Sequence, residues 1–130
     1  MKSPSDFWTE IVFNSSWITF GADEYLSDFA EKVGKYLADA KLTTSKIRNV
    51  YGEVKRIQMG GFEREKASFY LLRPKVAYAL GRDKNSSGLK LFKMVFDKSA
   101  SFVKDQHTYL NFCNLMEAIL AYHKAYGGNE

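Results

Sequence analysis

Apolar residues recur at helical spacing along most of the chain, and the polar stretches between them mark where one helix stops and the next starts. DEYLSDFAEKVGKYLADAK (23–41) opens on Asp23 as an N-cap and sets Leu26, Phe29, Ala30, Val33, Leu37 and Ala40 on one face. Asp28 with Lys32 and Glu31 with Lys35 are acid-to-lysine pairs four residues apart, which supports an exposed outer face. KLTTSKIRNVYGEVKRI (41–57) predicts a second long helix, capped by Thr43 or Thr44 and ended near Gly60-Gly61. FEREKASFYLLR (62–73) reads as a third helical piece. Pro74 disfavours helical geometry at Arg73 and fits as the first residue of a new turn, PKVAYALGR (74–82).

DKNSSG (83–88) is the clearest loop, after which Ser86 or Ser87 caps a helix with Leu89, Phe92, Val95, Phe96, Phe102 and Val103 inward. The last predicted helix, TYLNFCNLMEAILAYHKAY (108–126), stops at Gly127-Gly128. Of its residues 109–126, 13 of 18 are apolar or aromatic, leaving Asn111, Asn114, Glu117 and Lys124 as a narrow polar strip. Such a helix belongs either at the centre of a bundle or partly in an intermolecular interface. EIVFNSSWITF (10–20) is compatible with a short strand or a helix. The expectation is an all-α fold, a compact bundle of five to six helices forming a single helical domain over 1–130.

Composition sharpens the class. Hydrophobic content of 45% and 15% aromatics point to a globular chain rather than a disordered one. No apolar run approaches the roughly 18 residues of a membrane span, and the N-terminal stretch lacks the pattern of a signal peptide. Cys113 stands alone, so it forms no internal disulfide and no metal site by itself. A reducing, cytoplasmic setting without a membrane partner is the expectation.

Charge changes the picture further. Residues 41–58 and 73–84 hold nine of the 19 basic side chains and two of the 15 acidic ones, a net of +7, while the rest of the chain carries −3. Concentrated positive charge is the footprint of a polyanion partner, and also occurs on plain solvated faces. On a helical wheel Ile47, Val50, Tyr51, Val54 and Ile57 share the core side; Arg48, Gly52 and Lys55 adjoin it, with Arg56 just beyond. Lys46 and Glu53 fall on the opposite flank and are expected to neutralise each other. Gly52 costs about 1 kcal/mol against alanine in a helix interior, which close approach of a neighbouring helix or of a nucleic-acid strand would justify. In PKVAYALGR, Lys75 and Arg82 lie two turns apart on one side, roughly 10 Å. Tyr78 lies beside them, where an aromatic ring could stack on a base. Both readings stay open on charge and spacing alone: cations that remain solvated beside a packed glycine, or cations that meet phosphates.

Catalytic and metal motifs are absent: no phosphate loop, no paired-cysteine spacing, no HExxH, no GxSxG. His107 and His123 have no ligand set around them, and His123 is expected to be a hydrogen-bonded core or interface residue. Cys113 reads as a small buried hydrophobe. Glu63 and Glu65 sit next to Arg64 and Lys66 and read as a solvated face. No arginine is followed by a histidine four to six residues on, as a helical ribonuclease would need, so enzyme activity is not expected.

Three segments, KLTTSKIRNVYGEVKRI, LLRPKVAYALGR and FCNLMEAILAYHKAYGG, together resemble the small subunit of the type III-A (Csm) CRISPR effector complex. The resemblance covers most of residues 41–128; the first forty residues and the surroundings of Gly60-Gly61 carry no such motif. It implies a small, all-helical, non-catalytic subunit without cofactor, stacked along a ribonucleoprotein by self-association along the filament. Its partners would be the guide RNA, the target RNA, and the backbone and large subunits of the complex. It implies RNA contact through Arg48, Lys55, Arg56, Lys75 and Arg82, to which the wheel adds Tyr78. The remaining alternatives are a free-standing helical RNA- or DNA-binding protein and a purely structural assembly spacer.

Overall fold

The computed structural model describes residues 1–128 and contains eight helical segments and no strand among them, seven of the helices being longer than one turn. They are α1 (Pro4–Glu10), α2 (Ser16–Thr19), α3 (Glu24–Asp39), α4 (Thr44–Gly60), α5 (Phe62–Tyr70), α6 (Leu72–Arg82), α7 (Ser87–Ala100) and α8 (Gln106–Ala125). The all-helical expectation therefore stands, with more helices than the five to six predicted. No helix among the described residues is long and apolar enough to cross a membrane.

The surplus lies at the N-terminus. Ser3 caps α1 by accepting the Asp6 amide at 3.2 Å, and Pro4 fills the first turn where no N–H is needed. The 10–20 stretch forms no strand; it supplies the one-turn helix α2, which buries Trp17 and Ile18. Asp23 then does two jobs. Its Oδ1 accepts the Leu26 amide as the cap of α3, at 3.0 Å, and the Trp17 indole N–H at 2.7 Å, so the cap also pins α2. Ser86, not Ser87, caps α7, and Asp105 with Thr108 makes a capping box for α8. Arg73 is helical in spite of the following proline. Pro74 falls in the first turn of α6, which starts two residues earlier than expected, and a first-turn residue owes no intrahelical donor. Val103 is buried and Phe102 half-buried, but both lie in the turn after α7 rather than in it.

α8 is the axis of the bundle, packed against α2, α3, α4 and α5. Tyr109, Phe112, Cys113, Leu115 and Met116 are almost completely buried, which settles the helix as bundle centre over that stretch. Asn111 does not belong to the polar strip. It is buried, and its amide donates to the Ile18 carbonyl at 2.9 Å. Edge-on ring contacts carry the core across elements, from Phe69 on α5 to Phe112 on α8 (5.7 Å) and from Phe112 to Phe96 on α7 (5.4 Å). Where α3 crosses α8, a Cβ on Gly34 would sit 2.7 Å from the His123 amide nitrogen and the Tyr122 Cβ, so only glycine permits that approach.

Candidate nucleic-acid interface

α4 places its apolar stripe as the wheel requires: Ile47, Val50, Val54 and Ile57 are buried, and Tyr51 donates its hydroxyl to the Met116 carbonyl at 2.9 Å. Burial pushes the phenol of Tyr51 far above its ordinary range, so it remains a donor. The outer face of α4 meets α6. Two ion pairs set the relative direction of the helices: Glu53 to Lys75 at 3.6 Å and Lys46 to Asp83 at 3.7 Å. Moving from residue 46 to 53 on α4 corresponds to moving back from 83 to 75, so α6 runs antiparallel to α4.

Between them lies a shallow cleft of about 490 Å³ lined by Arg48, Asn49, Gly52, Glu53 and Lys75. Gly52 forms part of its floor, and a Cβ built there would meet nothing within 4 Å. The glycine therefore does not serve a packed helix crossing inside this chain, in contrast to Gly34. Tyr78 and Arg82 continue the α6 rim. Tyr78 is 67% exposed, and the Arg82 guanidinium lies over its ring, 5.8 Å from the centroid.

The structure divides the six basic and aromatic residues singled out in the sequence. Arg48 and Lys75 line one cleft, and Tyr78 and Arg82 extend the same helix. Lys55 points instead toward α8, where Glu117 accepts from its ammonium at 2.7 Å; that bond holds the ammonium above its ordinary range. Arg56 turns toward α5. It donates to Glu53 through Nε and Nη2 (3.0 and 3.1 Å) and to Glu65 through Nη1 (2.6 Å). The guanidinium of Arg56, with Lys75 beside it, draws the Glu53 carboxyl below its usual range.

Two expectations about charge are corrected here. Lys46 and Glu53 do not neutralise each other: seven residues apart, they sit two turns from one another, and each finds a partner on or just after α6. Glu65 is not merely solvated but anchors Arg56, while Glu63 stays with its neighbour Lys66 at 3.9 Å. Among the described residues, Lys46, Lys55, Arg56, Arg73 and Lys75 of the two positive windows each face a carboxylate, so the net positive charge these windows present is smaller than the sequence count. Asn49, three residues before Gly52 on the helix, also lines the cleft; the role of Glu53 was not legible, because Lys75 reaches it from a helix 22 positions further along the chain.

His123 is completely buried and its Nε2–H donates to the Leu42 carbonyl at 2.6 Å, in keeping with a core histidine. Cys113 is buried as well, which pushes its thiol up to about 11. Among the described residues no group of three or more His, Cys, Asp or Glu side chains is placed to hold a metal ion.

A family model described as Csm2 Type III-A matches residues 22–129, which spans α3 to α8 together with the whole α4–α6 cleft and leaves out α1 and α2. No curated protein and no solved structure matches the chain.

Proposed function

We propose, from the premise that this chain belongs to the Csm2 Type III-A family, that it meets RNA through the α4–α6 cleft and has no catalytic step of its own. Family membership makes it a subunit of a type III-A CRISPR effector. The observation that carries the RNA reading is Gly52. It lies in the cleft lining with Arg48 and Lys75 and has no neighbour among the described residues that would need the space. A sugar–phosphate backbone can approach such a surface closely while flanking cations neutralise its phosphates.

In this reading Arg48, Lys75 and Arg82 neutralise phosphates of the guide RNA or target RNA and release counterions, and Tyr78 offers an aromatic face to a base. Nothing in such a contact reads sequence; guide pairing does, as in other RNA-guided effectors. Lys55 and Arg56 contribute less, because neither lines the cleft: Lys55 is drawn to Glu117 on α8, and Arg56 to Glu65 on α5 as well as to Glu53. Those same pairs favour a second role in which the two cations brace the bundle as an assembly element. Exposed apolar side chains such as Phe20 (82%) and Met59 (87%) are available to neighbouring subunits or further copies, whereas most of α8 is consumed by the core. The setting is cytoplasmic, alongside the backbone and large subunits.

The test is fluorescence anisotropy of a labelled single-stranded RNA across a salt series, with wild type beside the Arg48→Ala/Lys75→Ala/Arg82→Ala variant. Salt-sensitive binding lost in the variant supports the cleft. Binding indifferent to the three substitutions, with a normal melting curve, sinks it and favours the spacer role.

A further inference from the structure

We propose that Glu53 is a built-in competitor for the RNA phosphate, an intramolecular anion that occupies the cleft's Lys75 until a polyanion takes its place. The inference rests on the cleft being the RNA contact. Glu53 is the acidic residue among the five that line the cleft. Its Oε2 lies 3.6 Å from the Lys75 ammonium, and its two oxygens accept in parallel from the Arg56 guanidinium at 3.0 and 3.1 Å. A carboxylate held by an arginine fork presents a planar pair of oxygens much as a phosphate would.

The two pairings differ in how readily they break. Arg56 is anchored three ways, twice by Glu53 and once by Glu65 at 2.6 Å, and stays with its acids. Lys75 has one long contact beyond ordinary hydrogen-bond distance, and its side chain is half exposed. It is the cation free to swing from carboxylate to phosphate. An exposed pair of this kind is weak and screened by salt, so exchange is easy, but the carboxylate remains in the cleft and repels the incoming phosphate. A short or sparsely charged ligand gains little from such a site. A strand that meets Arg48, Lys75 and Arg82 together gains enough to displace the carboxylate. Glu53 thereby sets an affinity threshold: loose RNA is held weakly, and a strand already fixed in place by the rest of the complex is held well.

The experiment uses the full chain and a labelled oligouridylate, followed by anisotropy over a salt series. Glu53→Gln keeps the size and shape of the side chain but removes the charge, and its single amide oxygen can accept only one of the two Arg56 donors. It should tighten binding by about three- to tenfold and steepen the salt slope by roughly 0.7, the contribution of one more phosphate-bound cation on a single strand. Glu65→Gln removes an acid that touches Arg56 outside the cleft and should leave both readouts near wild type. Unchanged or weaker binding by Glu53→Gln would overturn the competitor role, as would an equal gain from Glu65→Gln, which would mark a mere net-charge effect. If the Arg48/Lys75/Arg82 triple alanine still binds as wild type, the cleft itself is wrong and both readings fall. If the triple alanine loses binding while Glu53→Gln changes nothing, only the role of Glu53 falls.

Discussion

His123, near the end of α8, donates from Nε2 to the carbonyl of Leu42, 2.6 Å away in the connection between α3 and α4. That carbonyl follows Lys41, whose φ of 65° turns the chain through a left-handed position and lets the Leu42 amide close back on the Leu37 carbonyl. The histidine thus holds the turn that launches the basic helix. His123→Ala would leave a buried carbonyl without its donor and a cavity beside it. The expected loss is about 2–4 kcal/mol. Urea denaturation reads it as a lower midpoint at unchanged m-value. His123→Gln, which can keep a donor near the carbonyl, should lose less.

Gly34 and Gly52 should respond oppositely to the same substitution. Gly34→Ala drives a methyl into the backbone of α8 at 2.7 Å, and an overpacked contact with backbone should cost about 1–3 kcal/mol. Gly52→Ala meets open space and should raise stability by about 1 kcal/mol through helix propensity alone. The same alanine should weaken RNA binding if a strand lies against the cleft floor. Thermal melts beside anisotropy separate the two effects; a Gly52→Ala protein that is both more stable and equally tight on RNA would argue against close approach there.

Cys113 should be chemically silent in the folded chain. Burial raises its thiol from 9.0 to about 11, so the reactive thiolate is scarce at neutral pH. Thiol titration with a chromogenic disulfide should be slow in buffer and complete in denaturant. The linkage has a definite sign. Because the folded pKa is above the unfolded one, the contribution is intact below pH 9 and declines as pH rises toward 11. Cys113→Ala should flatten that part of the alkaline stability profile.

The cations should separate by their partners. Lys75→Ala with Arg82→Ala should weaken RNA binding about tenfold at moderate salt, with a shallower salt slope. Lys55→Ala should cost much less, since its ammonium is committed to Glu117 on α8 and does not line the cleft. Equal losses from both variants, measured by the same anisotropy series, would mean that overall charge rather than the cleft governs binding.

Much of the architecture was legible before folding. The periods of 23–40, 41–60 and 108–126 and the helix stops at Gly60-Gly61 and Gly127-Gly128 depend on residues within a few positions of each other, and the structure reproduces them. The N-terminal capping signal Ser3-Pro4 with Asp6 was equally local, yet α1 was not foreseen because only seven residues follow it with little periodic pattern. The fate of α8 stood between bundle centre and interface. Composition cannot separate them, since both bury apolar area and only the arrangement of α2, α3, α4 and α5 around it decides.

The candidate site divides along the same line. Sequence alone determined that Arg48, Gly52, Lys75, Tyr78 and Arg82 lie on outward helical faces, because a wheel depends only on 100° per residue. It could not determine that Glu53 would face Lys75, that Glu117 would hold Lys55, or that Gly52 would look onto open space. Those relations join α4 to α6 and α8. They are set by how far each helix runs and how its neighbour crosses it, and a side chain reaching 3 or 4 Å across a helix pair is sensitive to both. Periodicity made the helices and pointed the charges outward, while packing decided which carboxylates Lys55, Arg56 and Lys75 met and which side chains line the cleft.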